Sequence, residues 1–102
     1  HEVIPPEGVY AVKVIVEGKT YKGACYIGPK PAFLNRSKQV KRGDSAIPVE
    51  VAILDFRKNI YAKVMEVIFL KKIRSPRKFH SPAPLIKQIN KDILKVRHIL
   101  QA

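Results

Sequence analysis

The sequence predicts a mostly β domain: an antiparallel sheet or small barrel of at least four strands, closed by one C-terminal helix. Two runs of alternating apolar residues, 9–16 and 20–27, flank the turn Glu17-Gly18-Lys19. Two further apolar runs, 48–56 and 60–71, follow a polar interval. Towards the C-terminus the period changes, and Leu85, Ile89, Ile93, Val96 and Leu100 recur at helical steps.

Each element has its own justification. Tyr10, Val12, Val14 and Val16 share one face of the first strand, and Tyr21, Cys25 and Ile27 share one face of the second. Gly18 takes positive φ without steric cost, which a tight hairpin requires. "GPKPAF" (28–33) holds a glycine and two prolines and predicts a fixed loop. Residues 34–46 are polar and basic and predict a mobile loop. In "IPVEVAILDF" (47–56), Val49, Val51 and Ile53 fall on one side. Ala52, Leu54 and Phe56 fall on the other, together with the carboxylate of Glu50. A carboxylate on such a strand either reaches water at a rim or is kept there to handle a proton.

"RKN" (57–59) predicts a turn. In 60–71, Val64, Ile68 and Leu70 face one way and Met65, Val67 and Phe69 the other, which predicts a strand covered on both sides. "RSPRKFHSP" (74–82) is a basic loop with two prolines. Ser81 suits an N-cap and Pro82 the first helical position, where a missing N–H costs nothing. The helix is expected over about 84–100, its stripe packed on the sheet.

A chain of 102 residues with 46% hydrophobic content supports one domain, residues 1–102, with one modest core. No apolar run reaches the ~20 residues that span a bilayer, so no membrane role is expected. No signal-peptide pattern opens the chain, and the expected location is the cytoplasm. Cys25 stands alone, which excludes an internal disulfide and a cysteine-built zinc site, and its apolar run predicts a buried, inert thiol. The net charge is +12, and its basic residues gather in 36–42, 57–63 and 71–78. That charge attracts polyanions: nucleotide, RNA or DNA, or anionic lipid.

The sequence lacks a P-loop, a G-x-G-x-x-G run, an H-E-x-x-H run and any Cys/His metal spacing. His1, His80 and His98 are scattered, with His98 expected at the helix surface. The chemistry then rests on Glu50, on Asp55 at the end of its strand, and on the loop from Arg74 to Phe79. A strand Glu facing a cavity can take a proton from a hydroxyl attacking a phosphoryl group. An Arg and an aromatic in one loop can hold an anionic group and a planar ring.

The series "PPEGVYAVKV", "YKGACYIGPKPAF", "VEVAILDF", "IYAKVMEVIFLKKIR" and "KFHSPAPLIKQINKDI" resembles, in order and spacing, the riboflavin kinase domain over essentially the whole chain. In many bacteria that domain is the C-terminal half of a bifunctional riboflavin kinase/FMN adenylyltransferase. The resemblance implies a small antiparallel Greek-key barrel with a C-terminal helix. It implies ATP-dependent phosphorylation of the riboflavin ribityl 5′-hydroxyl to FMN, with Mg²⁺, and a possible adenylyltransferase domain upstream. The family's catalytic base, the Glu of its "VEVHILDF"-like strand, matches Glu50. Its flavin-side "LR-x-E-x-x-F-x-S" pattern matches Arg74, Phe79 and Ser81. Its nucleotide-side "DFxGDLYGK" turn matches Asp55, Phe56, Tyr61 and Lys63.

This sequence also departs from the pattern. The resemblance begins after the family's "GFPTAN" segment, whose Thr and Asn bind metal and phosphates, so the chain as given is expected to lack that site and to be inactive alone. "NIGxRPTF" stands as "YIGPKPAF", with Tyr26 for Asn and Ala32 for Thr. The "GDLYG" turn has lost glycines at Lys58 and Ala62, and the flap Glu is Pro76. The family's His after the second Val of the catalytic strand is Ala52. These departures keep a second reading open: a catalytically degenerate basic barrel that binds RNA, another polyanion or a protein.

Overall fold

A computed structural model describes residues 5–28, 37–42, 45–56 and 65–101. The elements are β1 (Gly8–Val16), β2 (Lys19–Ile27), β3 (Ser37–Arg42), β4 (Ser45–Ile53), β5 (Met65–Arg74) and α1 (Pro82–Ile99). The strands form one antiparallel sheet in the order β3-β4-β2-β1-β5. With β3 set aside as an outer addition, the order β5-β1-β2-β4 is that of a Greek key: the last strand returns to lie beside the first.

The β1–β2 hairpin pairs from Gly8↔Ile27 to Val16↔Lys19. Its two turn residues both have positive φ, Glu17 at 50° and Gly18 at 77°, the requirement of the type I′ turn that matches strand twist. Tyr10, Val12, Val14, Val16, Cys25, Ile27, Val51 and Ile53 form a buried cluster on one face of the sheet. Met65, Val67 and Phe69 pack onto it, and Tyr10 and Phe69 meet edge to face at 5.5 Å.

The other face is covered by α1. Val9, Ala11, Ala24, Tyr26 and Leu54 lie under Val96, with Ile89, Ile93, Ile99 and Leu100 beside it. Ala11 and Ala24 are direct cross-strand partners, so their short side chains let the helix approach. Val96 is fully buried there, which contributes roughly 1.5–3 kcal/mol. Ser81 is the N-cap in extended conformation, but its side chain makes no capping hydrogen bond. With prolines at 82 and 84, the third helical position has no N–H for Ser81 to bond.

Two expectations are corrected. Residues 34–46 were expected to be loop, yet 37–42 form β3, paired with β4 from Ser37↔Glu50 to Arg42↔Ser45. An edge strand can be held by its backbone ladder, and the sequence of 37–42 carries no apolar alternation to announce it. The second correction is β5, which is covered on one face only. Met65, Val67 and Phe69 pack inward, whereas Ile68 and Leu70 are 38% and 44% exposed. The helix covers the other end of the sheet, reaching Ile73 and leaving the middle of β5 open. Residues 60–64 of that expected strand, and the expected turn at 57–59, lie outside the described residues.

Candidate functional site

The strand registers place the site residues in one transverse row. Ser37 pairs with Glu50, Glu50 with Tyr26, Tyr26 with Val9, and Val9 with Arg74. Directly paired residues share a face, and Tyr26 and Val9 belong to the helix-covered one. Glu50 and Arg74 therefore stand on the same side, three strand spacings or about 14 Å apart. Glu50 is fully buried, not at a wet rim.

Tyr26 occupies the space between them. It is 6% exposed, and its ring lies along the strand over Gly28. A Cβ on Gly28 would run into the Tyr26 hydroxyl and lie 2.6 Å from its Cζ. Burial raises the phenol's pKa above its ordinary value; the charges of Glu7 and Glu50 add to the rise and Arg74 opposes it. Gly28→Ala must displace this buried ring. It should destabilise the domain by about 1–3 kcal/mol, read by urea unfolding.

Arg74 ends β5 and is committed to the helix. Its Nε donates to Asp92 Oδ1 at 2.9 Å and Oδ2 at 3.1 Å, and its Nη2 donates to Oδ2 at 2.8 Å. Its Nη1 donates to the Ser75 carbonyl at 3.2 Å. The Asp92 side chain is 1% exposed and the Arg74 side chain 16%. Gln88 Nε2 adds a bond to Asp92 Oδ1 at 3.1 Å, and Arg77 Nη1 donates to Gln88 Oε1 at 3.2 Å. The Arg77 guanidinium lies 5.3 Å from the centre of the half-buried Phe79 ring. A continuous polar chain thus ties the 75–80 loop to α1.

Asp55 follows β4 with φ of 59°, a conformation Asp tolerates better than most residues. Its carboxylate accepts from Arg97 Nη1 at 3.0 Å and Nη2 at 3.1 Å on the protein surface. Phe56 packs edge to face on Tyr21 at 4.9 Å. Tyr61 and Lys63, expected on the nucleotide side, lie outside the described residues. His80 and His98 are exposed. Among the described residues no group of three His, Cys, Asp or Glu could hold a metal ion.

Cys25 is buried on the face opposite Glu50. Burial pushes its thiol from an ordinary 9.0 up to about 12, and the Glu50 charge adds to the rise. The folded thiol stays protonated where the unfolded one ionises. Stability is therefore unaffected by Cys25 below pH 9.0 and falls as pH rises from there towards about 12. The slope approaches about 1.4 kcal/mol per pH unit, to be seen in urea unfolding across that range. A thiol reagent at pH 8 should label Cys25 only after denaturation.

Sequence reasoning missed Asp92, Gln88 and Arg77. Gln88 and Asp92 are one helical turn apart, each just before an apolar stripe residue, Ile89 and Ile93. An acid on the edge of an otherwise apolar stripe was the available signal. Its partner, an Arg at the end of the preceding strand, is visible only in three dimensions.

Comparison with known proteins follows the same lines. The riboflavin kinase family model matches residues 1–100. The chain is 39% identical over 90 residues to the bifunctional riboflavin kinase/FMN adenylyltransferase of Bacillus subtilis, covering 88% of this chain and 27% of that protein. It is 35% identical over 86 residues to an RNA-binding riboflavin kinase, RibR, of the same organism, covering 84% of this chain and 34% of that one. A solved structure described as a macrolide-efflux protein from Streptococcus pneumoniae superposes with a TM-score of 0.75 at 28% identity, over 93% of this chain and 28% of that one. The chain spans about a third or less of these curated relatives. With the matched family model, the Greek-key strand order and the C-terminal helix in agreement, the chain belongs to the riboflavin kinase family.

Proposed function

We propose that this domain is the flavin-phosphorylating module of an FAD-synthesis enzyme. In the reaction the 5′-hydroxyl oxygen of riboflavin attacks the γ-phosphorus of ATP, the bond to ADP breaks, and the hydroxyl proton is taken up by a base. The observation that carries the reading is Glu50: a fully buried carboxylate on an apolar strand, in one row with the flavin-side loop. Out of bulk water, such a carboxylate competes with no solvent for the proton. Phe79 is assigned to the flavin ring. Asp55, Tyr61 and Lys63 are assigned to the nucleotide side, where Asp55 would first exchange Arg97 for its new partner. The family implies Mg²⁺, which supplies charge neutralisation on the phosphates when bound. The described residues offer it no cluster, and the roles assigned to this chain are proton acceptance and ligand placement. An adenylyltransferase domain in the same polypeptide would use the FMN produced, as the descriptions of the bifunctional relatives suggest.

The test uses the whole protein that carries this domain, with riboflavin, ATP and Mg²⁺, and follows FMN by chromatography and flavin fluorescence. FMN formed in step with ADP supports the reading; no FMN at saturating substrates overturns it.

One observation favours a second, RNA-binding reading. Lys13 and Lys22 are direct cross-strand partners, both exposed, and Lys71 lies on the adjoining strand opposite Ala11. Like charges directly opposite are destabilising on their own, and a phosphate backbone would relieve the repulsion. RibR is described as RNA-binding. A duplex RNA should then be retained at ~50 mM salt and released steeply as salt rises, with little sequence preference. K13A/K22A/K71A should lower the slope of log K against log salt by about 2–3. Retention that is absent, or insensitive to these three lysines, removes the reading.

A further inference from the structure

We propose that Tyr26 is a positioning residue for the base: its ring keeps water and the Arg74 charge away from Glu50, and Gly28 keeps the ring in that place; this rests on the flavin kinase reading above. Tyr26 is the direct cross-strand partner of Glu50, so their Cβ atoms stand about 5 Å apart on one face. Both residues are buried, Glu50 completely. Val9 is next across the row and Arg74 follows it. The phenol ring is therefore the largest group in the row between the carboxylate and the guanidinium.

The place of the ring is built in at Gly28. A Cβ added there would meet the Tyr26 hydroxyl and lie 2.6 Å from Cζ and 2.9 Å from Cε2. A larger residue at 28 must push the ring out, so Tyr26 and Gly28 act as a matched pair. The charged groups around Glu50 are few. β2 sets Tyr26 on its face and Cys25 on the opposite one, where the thiol is pushed up to about 12 and stays neutral. β3 sets Ser37 at the register position opposite Glu50. Pro48 and Ala52, two residues away on β4, carry no charge. Besides Glu50, the charges that reach the Tyr26 hydroxyl are Glu7 and Arg74. Arg74 is turned to Asp92 on α1 by three contacts. Water or a nearby cation favours the charged carboxylate and so weakens it as a base. A ring that excludes both leaves a carboxylate that takes up a proton more readily.

The test is the pH profile of the single-turnover rate of FMN formation by the whole protein, with riboflavin, ATP and Mg²⁺. In the wild type the acid limb should lie above the ~4.3 of an exposed Glu. Tyr26→Ser removes the ring. It should move the limb down by at least ~1 pH unit and lower the plateau about threefold to tenfold. Gly28→Ala displaces the ring from outside the reaction and should move the limb the same way by less. Tyr26→Phe keeps the ring and should hold the limb in place. A merely structural role would lower stability in urea without moving the limb. If Tyr26→Ser does not fold, Gly28→Ala decides. A limb that stays in place in either variant, a wild-type limb in the range of an exposed Glu, or a shift in Tyr26→Phe as large as in Tyr26→Ser overturns the proposal. A wild-type protein that forms no FMN overturns the kinase reading itself.

Discussion

Glu50→Gln should lower kcat for riboflavin phosphorylation by the whole protein about 10²–10⁴-fold, the usual worth of a positioned general base. Gln keeps the length and one acceptor oxygen but cannot take the proton. KM for riboflavin should change little, because the lost interaction is made as the proton moves. Unfolding by urea separates this from a folding defect. Glu50 is fully buried beside Tyr26, and a neutral amide in its place costs less to bury than a charge. The variant should therefore be at least close to wild type in stability. Steady-state kinetics with unchanged kcat would remove Glu50 from the chemistry.

Asp92→Ala should destabilise the domain by about 2–4 kcal/mol. Removing one partner of a buried ion pair typically costs ~3–5 kcal/mol because the other charge is left unpaired. The lower range applies here because Arg74 retains some contact with water. Gln88 also loses an acceptor. Replacing both partners with apolar residues of similar size, Arg74→Met with Asp92→Leu, should recover most of the loss. That recovery, measured by urea unfolding of the two single variants and the double, distinguishes a penalty for an unpaired charge from lost packing. A double variant no more stable than the singles would point to packing.

The hairpin and the helix were legible in the chain. Val12 and Val14 had to face inward together because strand side chains alternate, and Gly18 marked the turn because few residues accept its φ. The stripe containing Ile89, Ile93 and Val96 required a surface to cover, and the sheet supplies it. Glu50 was visible as a carboxylate out of place on an apolar strand. β3 was not legible, because a polar edge strand owes its order to ladder bonds with β4 rather than to its own side chains. Nor was the exposure of Ile68 and Leu70, which depends on where the helix ends up. Tertiary structure alone decided what the charged residues do. Arg74 reads as a candidate ligand group in the sequence, and only the fold sets Asp92, 18 residues later in the chain, against it. Asp55 likewise has Arg97, 42 residues on, against it, a pairing that no local pattern announces. The chain pattern records which residues carry charge. Which of those charges are already balanced depends on strand order and helix docking, which bring together residues far apart in sequence.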